Sequence, residues 1–127
     1  MFKKKKFFVT FEGIEGSGKS FQSLKLFKKI KKKKISAIYT REPGGSPSAE
    51  LIRKVLLTGA KNKFDKNTDL LLYLASRNEH IRQTLGPAFV KKKVVICDRF
   101  TDSTLAYQVY GKAVDKKIVN LVHKKIF

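Results

Sequence analysis

An apolar run that gives way to glycines and then enters a lysine-bearing helix leaves a chain few ways to fold. Residues 7–11, FFVTF, are aromatic and β-branched, the composition of a short strand. Gly13, Gly16 and Gly18 follow at close spacing within GIEGSGKS, residues 13–20. From Lys19 to about Lys33, Phe21, Leu24, Phe27 and Ile30 recur at helical intervals. The stretch reads as strand, tight loop, helix. Gly13, Gly18, Lys19 and Ser20 satisfy G-x-x-x-x-G-K-[ST], the phosphate-binding pattern. Glycines permit a curl whose backbone N–H groups point inward at phosphate oxygens, and the helix start adds positive potential. Gly13, Ile14, Glu15, Gly16, Ser17, Gly18, Lys19 and Ser20 thus form the candidate cradle for a nucleotide's phosphates. In it, Lys19 is a point charge for the β and γ phosphates, and Ser20 a ligand for a bridging Mg2+.

The remaining chain continues the alternation. ISAIYT, 35–40, is a second strand, and REPGGSPS a turn in which Ser46 or Ser48 caps the helix AELIRKVLL. Thr68 to about Leu85 carries apolar residues at 70, 71, 74 and 81, which predicts a long helix broken at Gly86-Pro87. VVICD, 94–98, is a continuous apolar run ending in an acid, the pattern of a strand buried on both faces. DSTLAYQVYG and DKKIVNLVHKKIF complete the chain as two further helices. Strands alternating with helices predict an α/β domain with a parallel sheet of about three strands. At 127 residues there is room for one such domain, 1–127, and no more.

Composition narrows the class. Apolar residues make up 42%, too many for a disordered chain, and no run is long enough to span a membrane. A single cysteine, Cys97, excludes a disulfide framework and suits a reducing, cytoplasmic setting. The net charge of +19 raises nucleic acid as a partner. The excess is lysine, however, in runs at 3–6, 28–34 and 91–93 that fall at element ends without interleaved arginine and aromatics. A solvated basic surface is the favoured reading over a nucleic-acid footprint.

Two clusters bear on which phosphoryl chemistry the loop serves. Asp98 and Arg99 end a buried strand, where ligands bind in open parallel sheets. Asp98 there can hold Mg2+ or its waters, and Arg99 can grip a second phosphate as a bidentate fork. Tyr73 and Arg77, four apart on a helix, share a face; ring and guanidinium together suit a nucleobase, although such pairs are often plain cation–π packing.

FEGIEGSGKS, YTREPGGS, LLLYLASRNEHI and VVICDRFTDSTLAYQ, in this order and spacing, resemble the signature blocks of the thymidylate kinases. DRFTDSTLAYQ is the most specific of the four. The resemblance implies a three-layer P-loop NTPase fold of the nucleoside monophosphate kinase type. It implies phosphorylation of dTMP by ATP with Mg2+, and the homodimer common in the family, built on the helix at Thr68–Leu85. By position, Glu15 would approach the dTMP sugar or the metal shell, Arg41 would lie by the dTMP site, and Pro43 would shape its wall. Tyr73 would stack on thymine and Arg77 reach its O4. Asp98 and Arg99 would position metal and dTMP phosphate, Ser103, Tyr107 and Gln108 would complete the base and sugar pocket, and Thr104 would screen base or ribose. No general base is implied, so His80 is expected at the surface or behind the site, and His123 on a helix face.

The resemblance also implies parts that these 127 residues do not include: further strands, a lid whose arginines close over ATP, and an adenine loop. The expectation is an incomplete sheet, weak nucleotide binding and little turnover by this chain alone. The alternative is a non-catalytic nucleotide- or nucleic-acid-binding fragment. The family usually has glycine where Val109 and Ala113 stand, and threonine in place of Ser46.

Overall fold

The structure, a computed structural model, describes residues 7–126; the lysine run at 3–6 and Phe127 lie outside the described residues. Three strands, β1 (Phe8–Phe11), β2 (Ala37–Arg41) and β3 (Val94–Asp98), form one parallel sheet in the order β1-β3-β2. The last strand in sequence is therefore the central one. Its interior residues Val95, Ile96 and Cys97 are fully buried, as a strand covered on both faces requires. Registers pair Phe11 and Arg41 with Asp98, so all three carboxyl ends finish level. Every chemically suggestive residue after a strand is thereby delivered to one edge.

Helix α1 (Lys19–Lys32) follows the glycine loop. Only part of its periodic apolar set meets the sheet. Phe27 packs on Tyr39, with ring centroids 5.9 Å apart, whereas Phe21 and Leu24 are exposed. The fully buried position is Ser23, whose hydroxyl bonds the Ser20 carbonyl and the Tyr39 hydroxyl. A small residue there lets the first turn of the helix close on the sheet. The lysines at 28–34 and 91–93 lie just before β2 and β3, at the amino end of the sheet and opposite the cleft described below.

Helix α2 (Pro47–Leu57) is capped by Ser46, whose Oγ accepts the Ala49 N–H at 3.3 Å; this decides between the two serines. Helix α3 (Lys66–His80) does not stop at Gly86-Pro87. It passes through a wide π turn, residues 81–85, directly into α4 (Gly86–Val90). Gly86 donates to the Ile81 carbonyl five residues back. A ladder already shifted by one residue can accommodate a proline, which lacks a donor and would crowd the carbonyl four back. After β3 come α5 (Thr101–Thr104), a second π turn to Gly111, and α6 (Lys116–Ile126). Leu70, Leu74, Val114 and Val119 join α3 to α6, while Leu85, Ala88 and Val95 join the first π turn and α4 to the sheet.

Ala113, between the second π turn and α6, has φ of 52°, in the left-handed region. A side chain there costs about 1–2 kcal/mol, against about 0.5–1 for the extra freedom glycine gives the unfolded chain. Ala113→Gly is expected to stabilise the fold by about 0.5–1 kcal/mol, read as a higher urea midpoint at unchanged slope. A lower midpoint would show that the turn carries no such strain.

Candidate functional site

The loop between β1 and α1 makes one internal backbone hydrogen bond among the described residues, Ser17 N–H to the Ile14 carbonyl at 3.3 Å. No side chain caps α1 and no acid sits in its first turn, so the amides of that turn are open to an incoming anion. Gly18 takes φ of 84°, and a Cβ on it would meet nothing, so glycine is required there for backbone conformation alone.

Asp98 closes this site from the neighbouring strand. Its Oδ2 accepts from Ser20 Oγ at 2.6 Å, and Lys19 Nζ stands 3.5 Å from Oδ1. Oδ1 is buried and has no hydrogen-bond donor. A serine hydroxyl and a carboxylate with an unused oxygen are the hard oxygen donors that Mg2+ takes when phosphates and water supply the rest. Among the described residues no cluster of three or more His, Cys, Asp or Glu could hold a metal by itself.

Beside the loop opens a cleft of about 740 Å³, of the size that holds a small ligand. Ten expected residues line it: Ile14, Glu15, Pro43, Tyr73, Arg77, Arg99, Ser103, Thr104, Tyr107 and Gln108. Burial pushes the Tyr73 hydroxyl above its ordinary pKa, with the Asp69 carboxylate adding to it. Arg99 is in the left-handed region at φ 68°, its guanidinium 5.5 Å from the Tyr107 ring centre. Arg99 Nε and Gln108 Oε1 are buried without partners. Orphaned polar atoms in a cleft wall are costly unless a ligand meets them.

Of the residues expected to line the base, sugar or wall portions of the dTMP site, Arg41 does not reach the cleft. It is exposed at the end of β2 and pairs with Glu50 at 3.3 Å.

Two glutamates that sequence reasoning passed over organise the site. Glu12 accepts from the Phe100 N–H and from Ser103 Oγ, tying the segment after β3 to the phosphate loop. Glu42, almost wholly buried, accepts from Arg77 Nε at 2.7 Å and holds His80 Nδ1 at 2.9 Å. His80 is thus not a surface residue: it is completely buried, with Nε2 2.7 Å from Thr40 Oγ1. A Cβ on Gly45 would overlap both Thr40 Oγ1 and the His80 ring, so the REPGG turn packs directly on this pair. Arg77 also donates to Thr104 Oγ1 at 2.9 Å and lies 2.8 Å from His123 Nε2. The only signal for Glu42 in sequence was its place between two residues that were singled out.

Cys97 donates to the Arg99 carbonyl and has no exposed surface. Burial, reinforced by the Glu42 and Glu12 carboxylates, pushes its thiol far up. The folded chain is therefore expected to resist iodoacetamide at mildly alkaline pH and to react fully in denaturant. Mass-spectrometric labelling checks this; rapid native alkylation would contradict the burial.

A central β3 between β1 and β2, a glycine curl at the start of α1, and an Asp-Arg pair facing that curl define the α/β fold of the P-loop class. The model of the thymidylate kinase family matches residues 11–127, and the chain belongs to that family. It is 48% identical over 122 residues to a thymidylate kinase of Wolbachia pipientis wMel, covering 94% of this chain and 60% of that one. A thymidylate kinase of Magnetococcus marinus is 49% identical over 108 residues, covering 85% and 51% respectively. The crystal structure of the Ehrlichia chaffeensis thymidylate kinase superposes with a TM-score of 0.88 at 38% identity, covering 96% of this chain and 66% of that one. The chain thus spans between a half and three fifths of the length of these curated relatives.

Proposed function

We propose that these residues carry the phosphate-loop and acceptor-binding parts of a kinase that transfers the γ-phosphoryl group of ATP to dTMP, giving dTDP and ADP. The reading rests on one observation: two anion-seating elements meet at the carboxyl end of β3. Ser20 and Lys19 of the loop touch Asp98, and the next residue, Arg99, opens into the cleft. A donor phosphate at the loop and an acceptor phosphate at Arg99 would face each other, which is the alignment phosphoryl transfer needs. Lys19 and the loop amides from Gly13 to Ser20 would hold the β and γ phosphates. Ser20 and Asp98 would hold Mg2+, which when bound neutralises charge shared between those phosphates.

Arg99 would grip the dTMP phosphate, and Glu15 the sugar or the metal's waters. Tyr73, Pro43, Thr104, Tyr107 and Gln108 would enclose the thymine, with Arg77 donating to its O4. Ser103, held by Glu12, would keep the segment after β3 in place, and Arg41 would act from the rim through Glu50. An acceptor phosphate is already anionic, so no general base is needed and buried His80 has none of that work. Pairing of two copies through α3 is the family's habit, and exposed Leu71 on that helix is compatible with it. The comparisons lend no support to a non-catalytic or nucleic-acid-binding alternative.

Calorimetric titration of this chain with dTMP and dCMP tests the acceptor reading. A guanidinium N–H rewards a carbonyl oxygen and opposes an amino group, so dTMP is expected to bind about tenfold or more tightly. Equal affinities, or none for dTMP, would reject it.

A further inference from the structure

Arg77 has five N–H donors, and the structure accounts for four of them. Nε–H goes to Glu42 Oε2, and Nη2 lies between Glu42 Oε2 at 2.7 Å and Thr104 Oγ1 at 2.9 Å. One Nη1 hydrogen is directed at His123 Nε2, 2.8 Å away on α6. The guanidinium carbon lies over the Phe100 ring, 4.7 Å from its centre. One Nη1 N–H remains uncommitted, on a residue that lines the cleft.

We propose that His123 is a positioning residue for acceptor recognition: its neutral ring holds Arg77 so that a single N–H faces one keto oxygen of the base. The inference deepens the dTMP reading above and rests on it. Arginine is a donor only, so the imidazole nitrogen facing it must accept and the ring must be neutral. Without that acceptor, one Nη1 hydrogen would be left without a partner, and the guanidinium would lose its in-plane anchor on the α6 side. Protonated His123 would present a donor and a positive charge to a guanidinium, which breaks the contact from the other direction.

The surroundings keep the ring neutral. Burial lowers the His123 pKa, the Arg77 charge lowers it further, and Glu42 behind Arg77 opposes this in part. The second π turn, against which α6 packs, brings only Tyr107 and Tyr110 as titratable groups, and α6 itself contributes lysines. The folded pKa lies below the usual histidine value, so the contact is intact at neutral pH and is lost as acid protonates the ring.

The test is NMR titration of the chain with thymidine, which has no phosphate and no group ionising between pH 5.5 and 7.5. In the unmodified chain, affinity should fall from pH 7.5 to pH 5.5 as the ring protonates, toward the roughly fivefold loss that one charge-assisted hydrogen bond is worth. His123→Gln keeps an acceptor that does not titrate: it should match the unmodified affinity at pH 7.5 and change less than about twofold in acid. His123→Ala should be weak at both pH values. Identical pH profiles for the unmodified chain and His123→Gln would overturn the inference while leaving the acceptor reading standing. His80 is common to all three proteins and so cannot produce the difference. No binding of thymidine by the unmodified chain at pH 7.5 would instead overturn the acceptor reading, and this inference with it.

Discussion

Glu42→Ala will destabilise the fold by about 3–5 kcal/mol, the usual cost of stripping the partner from a buried ion pair. The reason is the company Glu42 keeps. Arg77 is 4% exposed and His80 not at all, and the one carboxylate serves both. Deleting it leaves a guanidinium in the interior whose charge nothing nearby cancels, and removes an acceptor from a histidine that no water can reach. Glu42→Gln keeps one acceptor and the shape, so its cost should be smaller but of the same sign. Urea unfolding of the two variants against the unmodified chain measures both. A shift under about 1 kcal/mol for Glu42→Ala would mean that Arg77 finds another partner or water, and the buried network would then not be what joins β2 to α3.

Lys19→Ala is expected to weaken binding of a nucleoside triphosphate by about 30- to 100-fold, while dTMP binding moves less than about twofold. The lysine carries the loop's one ammonium, 3.5 Å from Asp98, and it is not part of the cleft wall. Its loss removes a charge-assisted contact to two phosphates but leaves the backbone amides and the acceptor cleft in place. Isothermal titration with ATP and dTMP separately reads the split. Parallel loss of both would show that the two sites are not distinct, and no loss of either would remove the loop from the donor role.

Much of this architecture is legible along the chain because it depends on local rules. The glycine curl, the strand–helix alternation and the acid at the end of VVICD each follow from backbone freedom, periodicity or a continuous apolar run. Those rules stumble where neighbours in space intervene. Gly86-Pro87 reads as a stop, yet the π turn before it has already shifted the hydrogen-bond ladder, so the helix continues. Phe21 and Leu24 have helical spacing but face outward, because small Ser23 is what fits against Tyr39.

Sequence alone determined the phosphate loop and the class of fold, which rest on residue types at short, fixed spacing. Of the fifteen residues lining the cleft it pointed to ten, half of them only through the family resemblance. Tertiary structure alone decided that Glu42 is the keystone, that His80 is interior, and that His123 meets Arg77 across 46 positions of chain. Buried polar groups must find partners wherever the fold puts them, and partners that distant leave no periodic trace along the chain.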